Sequence, residues 1–134
     1  MIRKDISVER FKPVAEANAA AEGGWDLSSG KTNHIPYLSY DPTSYLGTIV
    51  DQIIGSRKPP LVLQYMDAHS EALKRSTVAG SGVAWLSESV VADELASGQL
   101  VTVGGPEWQT DLTLTLFSAS DRLDNTGRML WEAL

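Results

Sequence analysis

The sequence predicts an α/β domain built on a mixed, largely parallel sheet. From residue 35 onward, short apolar runs alternate with stretches of helical periodicity. Cap and turn residues punctuate the changeovers: Asp41-Pro42, Gly55, Gly80-Ser81-Gly82 and Gly98. The run 61–66, LVLQYM, is almost wholly apolar, as expected of a parallel strand covered on both faces.

Taken in order, residues 8–15, VERFKPVA, form a strand through Val8, Phe11 and Val14, and Pro13 suggests an edge position. Residues 16–33, rich in Ala, Gly, Ser and Asn, read as a loop anchored by Trp25 and Leu27. Residues 35–39 form the next strand. Asp41 caps a helix over 42–54, with Pro42 at its first position and Tyr45, Leu46, Ile49, Val50 and Ile53 on one face. Gly55 stops that helix. The strand 61–66 leads into a helix capped by Asp67 or Ser70 and running to Ala79. The strand Val83–Leu86 is followed by a helix from Ser87 to Ser97 with Gly98 past its end, then by the strand Leu100–Val103. LTLTLFS, 112–118, alternates cleanly as a strand, and a last helix over 121–134 carries Leu123, Leu130, Trp131 and Leu134.

Composition narrows the function. The chain has 134 residues, 43% of them hydrophobic and 21% charged, enough for one domain with a core. Its net charge of −6 repels polyanions and argues against direct nucleic-acid contact. It contains no cysteine, so no disulfide frame or thiolate zinc site is expected. The N-terminal MIRKDISVERFKPV lacks the apolar core of a signal peptide and no run is long enough to span a membrane, so a cytoplasmic soluble domain is expected.

In parallel α/β sheets, ligands bind beyond the carboxyl ends of the strands. Three helix starts are expected there, at Pro42–Ser44, Ser70–Ala72 and Ser87–Ser89. Each supplies backbone N–H groups, the positive end of a helix dipole and a hydroxyl, and Tyr40 and His69 lie beside them. A small anion such as a carboxylate suits that edge.

Plainer readings compete. Gly80-Ser81-Gly82 follows a helix and precedes a strand, the reverse of a dinucleotide loop, so a helix C-cap is expected rather than a phosphate cradle. Asp67 and His69 could share a metal, but no third ligand is in reach of the pattern. His69-Ser70 is a poor nucleophile–base pair, since neighbouring residues rarely reach the needed geometry and no G-x-S-x-G elbow exists. Trp85 and Trp131 suit core packing better than a ligand pocket. No catalytic set stands out, and no cofactor or metal is implied.

The runs SYLG, HSEALKRSTVAGSGVAWL and ADELASGQLV, in that order, resemble the effector-binding domain of LysR-type transcriptional regulators. The resemblance is strongest over Tyr37–Val103 and the Leu112–Leu134 tail. It implies a three-layer lobe like those of type 2 periplasmic binding proteins. In that frame 8–15 and 112–118 are crossing hinge strands, 16–110 the second lobe, and 121–134 the C-terminal helix packing on the first lobe. The DNA-binding domain and most of the first lobe lie outside the match. The family usually has proline after W-L, where this chain has Ser87.

The resemblance implies a ligand-sensing module that performs no chemistry, with Tyr40, Thr43 and Ser44 at one helix start and His69 and Ser70 at another donating hydrogen bonds to a small anionic or polar effector. A solute-binding lobe of a transport system is the alternative. With little for the last helix to cover, self-association into a homo-oligomer is expected.

Overall fold

The structure, a computed structural model, describes the backbone of residues 2–28, 34–119 and 128–133, and the side chains of 8–28 and 34–113. Its elements are β1 (Ile2–Glu16), α1 (Ala17–Gly23), β2 (Ile35–Tyr40), α2 (Tyr45–Ile54), β3 (Leu61–Asp67), α3 (Ser70–Val78), β4 (Ala84–Ser87), α4 (Ala92–Ser97), β5 (Leu100–Thr102), a 3-10 turn (Pro106–Trp108), β6 (Thr110–Ala119) and β7 (Arg128–Ala133).

The α/β class and the mixed pairing are as the pattern predicts, but most of the pairing is antiparallel rather than parallel, because the long β1 takes antiparallel partners along both edges. Among the described residues, parallel pairing is confined to β2 with β3 and to the bridge between Tyr37 and Val83 that brings β4 alongside β2. The other pairs, β1 with β4, β5 and β6 and β6 with β7, are antiparallel. The strand expected over 8–15 is the second half of the longer β1, and that strand organises the sheet. Phe11 pairs with Ser87 of β4 and Thr110 of β6, so those strands lie on opposite edges. Val14 pairs with Ala84 of β4 and Thr102 of β5. Hence β5 and β6 follow one another along the same edge.

That arrangement corrects the edge position expected from Pro13, which is buried in a strand paired on both sides. The N–H and C=O of a strand residue point to the same edge. The Pro13 carbonyl accepts from the Val103 N–H at 3.0 Å. Its missing N–H therefore falls on the edge shared by β5 and β6, in the gap between Thr102 and Thr110, where no ladder partner is required.

The doubly covered strand is β4. All four of its residues are buried, and Trp85 donates from Nε1 to the Trp108 carbonyl at 2.8 Å. The apolar run 61–66 behaves differently: among the described residues β3 has only β2 beside it, and Val62, Leu63, Tyr65 and Met66 are exposed. Apolar composition measured β propensity there, not cover. Core side chains include Phe11, Val14, Ile35, Leu38, Val50, Leu73, Leu86, Leu100 and Leu112.

Four further expectations change. Residues 17–23 form a helix inside the expected loop, because the Glu16 carboxylate caps the N–H groups of Asn18 and Ala19 at 2.9 and 3.0 Å. Leu27 is buried as an anchor and Trp25 half-buried. The helix expected from Pro42 starts at Tyr45, with Ser44 as its cap. The helix expected from Ser87 starts at Ala92: Ser87 is buried at the end of β4, and the bonds from Val90 and Val91 to the Ser87 and Glu88 carbonyls make turns rather than a helix. Residues 128–133, expected to be helical, form β7. They pair with β6 from Phe117↔Arg128 to Leu112↔Ala133, because the second edge of β6 offers ladder bonds that a helix would leave open. Residues 121–127 and 134 of that expected helix lie outside the described residues.

Gly80 and Gly82 act as a helix end and a close approach, not a phosphate cradle. Gly80 has φ +86, the left-handed conformation that ends helices. A Cβ at Gly82 would come 2.5 Å from the Pro36 carbonyl oxygen, which accepts the Val83 N–H and so brings β4 against β2.

Candidate functional site

Parallel β2 and β3 end side by side, with Tyr40 in register with Asp67. The Asp41 N–H donates to the Asp67 carbonyl at 3.1 Å and ties the two chain ends together. The starts of α2 and α3 therefore adjoin, and the five residues expected from sequence sit in two small clusters.

The first cluster is wound around Asp41. Its Oδ1 accepts from the Thr43 N–H at 2.9 Å and the Thr43 hydroxyl at 2.8 Å. The Ser44 hydroxyl donates to the Asp41 carbonyl at 2.6 Å and accepts the Gly47 N–H at 3.0 Å. Ser44 is thus a working N-cap and its only proton is spent. Gly47 is required by space, since a Cβ there would lie 2.3 Å from the Asp41 carbonyl oxygen.

The second cluster is wound around Asp67. Its Oδ1 accepts the His69 N–H at 2.9 Å and lies 3.2 Å from His69 Nδ1, while Oδ2 accepts the Tyr65 hydroxyl at 2.9 Å. The His69 ring is largely exposed. His69 is the cap residue of α3 but makes no side-chain cap bond.

Tyr40 and Ser70 join the two clusters from below. Tyr40 is buried, its ring 6.1 Å from that of Phe11. Its hydroxyl donates to the Trp85 carbonyl at 2.8 Å, so the 3.2 Å contact with Ser70 Oγ is one in which Ser70 donates. Burial pushes the Tyr40 phenol well above its ordinary range. Sequence expected Tyr40 to donate to a ligand, but its proton is committed to the protein. It fixes the end of β2 against β4 and α3.

Electrostatically the rim is acidic. Asp41 is held below the ordinary carboxylate range by the Thr43 N–H first and the Thr43 hydroxyl second. Asp67 is held low by the His69 N–H, then by the Tyr65 hydroxyl and the His69 ring. Neither carboxylate was singled out as a ligand contact from sequence, although an Asp just ahead of a helix, its side chain accepting the N–H two residues on, is the signal for such turns. The third expected helix start is not one, since Ser87 is buried in β4. Two open hollows of about 620 and 540 Å³ lie elsewhere, one beside Trp25 and β5, the other beside Glu9 and Ser89, and the five residues line neither. Among the described residues there is no group of three or more His, Cys, Asp or Glu able to hold a metal, and no helix is long and apolar enough to cross a membrane.

A family model described as the LysR substrate binding domain matches residues 6–134. The chain belongs to the LysR substrate-binding domain family. Two curated relatives from Escherichia coli are each 27% identical over 124 residues, 91% of this chain. One, the HTH domain-truncated transcriptional regulator QseD of strain O157:H7, is covered over 50% of its length. The other, the HTH-type transcriptional regulator YjiE of strain K12, is covered over 40%. The chain thus spans half or less of the length of these relatives. The regulatory domain of HypT from Salmonella typhimurium superposes with a TM-score of 0.75 at 22% identity, over 92% of this chain and 58% of that one, which shows the shared fold. These relatives are transcriptional regulators rather than transport proteins, so the solute-binding alternative is set aside.

Proposed function

We propose that this chain is the effector-sensing part of a LysR-type transcriptional regulator, acting by binding and not by a reaction. Under this reading β1 and β6 are the crossing strands, residues 16–110 form one lobe, and the shallow rim at the ends of β2 and β3 is one wall of an effector cleft. The observation that carries it is the convergence of two helix starts on adjoining strand ends, locked by the Asp41–Asp67 backbone bond. In whole regulators such a ligand acts through its differential affinity for two arrangements of the assembly, and this chain works as part of a homo-oligomer.

The geometry favours one effector class over a simple anion. The first turn of α3 has no side-chain cap and suits an acceptor group beside Ser70. Asp41 and Asp67, both held ionised, repel a bare carboxylate and attract donors. A small polar effector with both a donor and an acceptor, such as an amino acid, satisfies both. Thr43, Ser44, His69 and Ser70 remain the proposed contacts, the three hydroxyls as acceptors because each spends its proton within the protein, with Tyr40 supporting Ser70.

The test is a thermal-shift screen of the purified chain against amino acids, simple carboxylates and aromatic acids, repeated with Thr43→Ala and Ser70→Ala. A ligand bound only by the folded state stabilises it by mass action, by about 2.7 kcal/mol at a hundredfold excess over Kd, and so raises the midpoint. An amino acid that stabilises the parent and loses at least half its shift in Ser70→Ala supports the assignment. Stabilisation retained in full by both variants removes the site, and no shift with any compound removes the sensing role of this chain.

A further inference from the structure

The larger of the two open hollows, about 620 Å³, has the make-up of a second binding site. α1 lends it Ala17, Ala20 and Ala21, while Thr102 of β5, the Gly104-Gly105 turn and the Trp25 ring form the other walls. Small residues leave the space open, and the walls are held in place. The Gly24 and Trp25 N–H groups both bond to the Ala20 carbonyl and turn the chain back along α1. A Cβ at Gly23 would lie 2.2 Å from Trp25 Nε1, so the indole rests on that glycine. Leu27 donates to the Val103 carbonyl at 2.8 Å. The Ser28 hydroxyl donates to Glu107 at 2.6 Å and accepts the Gly105 N–H at 2.9 Å.

The edge of β5 supplies the polar groups. Along an antiparallel ladder, successive residues turn their N–H and C=O to alternate edges. Val103 donates to the Pro13 carbonyl at 3.0 Å and Ala17 to the Gln99 carbonyl at 2.9 Å, so residues 99, 101 and 103 are the ones turned to β1. Pro13 has no N–H to return, and the Val103 carbonyl takes Leu27 instead. Thr102, exposed, therefore turns its N–H and C=O away from β1, to the edge that lines the hollow. Among the described residues neither group has a hydrogen-bond partner.

Charge and space decide the occupant. Asp26 is the one charged residue on the walls, and no Lys, Arg or His lines them, so an anion is disfavoured. A peptide strand finds no room, because β5 has only three residues and α1 and Trp25 flank it. A flat ring that stacks on the indole and carries a donor beside an acceptor satisfies both the aromatic wall and the strand edge.

We propose that this hollow is a second small-molecule site, for a flat uncharged nitrogen heterocycle with a lactam edge. The ring lies on Trp25, its N–H donates to the Thr102 carbonyl, and its C=O accepts the Thr102 N–H. The site stands apart from the rim at β2 and β3, so it holds whether or not that rim binds an effector.

Amide NMR of the isotope-labelled chain, titrated with uracil, its N,N-dimethyl derivative and benzoate, tests it. Uracil is expected to move the Thr102 amide and Trp25 indole signals in a saturable way. The dimethyl derivative keeps the ring but has no N–H, and it should bind at least about tenfold more weakly. Ala21→Leu fills the hollow from an exposed helix position, so it should melt as the parent does and weaken uracil at least about tenfold. No shift with uracil up to about 10 mM overturns the site. Shifts confined to His69 and Ser70, or uracil affinity unchanged in Ala21→Leu, overturn its location. A dimethyl derivative that binds as well as uracil overturns the pairing with Thr102, and benzoate that binds as well overturns the uncharged class.

Discussion

At the scale of single residues, hydrogen-bond arithmetic separates support from availability. The Tyr40 hydroxyl serves the buried Trp85 carbonyl, so Tyr40→Phe should cost about 1–2 kcal/mol in urea unfolding by leaving that carbonyl without its donor. Asp41 and Asp67 make the opposite kind of contribution, since their ionised forms are the ones held in the fold. A carboxylate with a depressed folded pKa stabilises above its unfolded value, about 4, and that stabilisation is lost as pH falls through the lower folded value. Unfolding measured from neutral pH down to about pH 3 should therefore show stability falling on the acid side. Asp67→Asn should flatten that limb; an unchanged slope would mean the Asp67 turn does not hold in solution.

At the scale of elements, the boundaries were decided by which backbone groups found partners. Pro42 at the expected first helical turn was outweighed by the Asp41–Thr43 turn, which spends the acid before the helix begins and leaves Ser44 to cap α2. Two glycines mark where elements come closest. Gly47→Ala would drive a methyl group into the Asp41 carbonyl, and Gly82→Ala into the Pro36 carbonyl. Each should cost about 1–3 kcal/mol, as overpacking against rigid backbone does. Comparing the denaturation midpoints of these variants with that of Gly98→Ala would separate the mechanisms. Gly98 has open space around its Cβ position, so its cost would come only from its left-handed φ of +81.

At the scale of the whole molecule, β1 holds the domain together. It is bordered by β4 on one edge and by β6 and then β5 on the other, and Phe11 stands where β4 and β6 face each other across it, packed near Tyr40. Phe11→Ala should cost about 3–5 kcal/mol, a large share of the stability of a domain this size. Because Trp85 and Trp108 are bound to each other in the same core, tryptophan fluorescence and far-UV circular dichroism should report one coincident transition. Two separated transitions would mean that the β2–β3 end unfolds apart from β1.

The sequence by itself determined the class, the order of most elements and the neighbourhood of the site. Those depend on local periodicity, on caps and on the rule that helix starts gather at strand ends, all written within a few residues. The fates of Pro13, LVLQYM, Ser87 and residues 128–133 were not legible in that way. Proline fits a central strand only because β5 and β6, following one another along that edge, leave a gap beside it. An apolar run is a buried strand or an exposed edge depending on what lies next to it, and a free edge of β6 recruits as a strand a segment whose spacing also fits a helix. Each outcome depends on a partner distant in sequence, so only the tertiary structure could decide it.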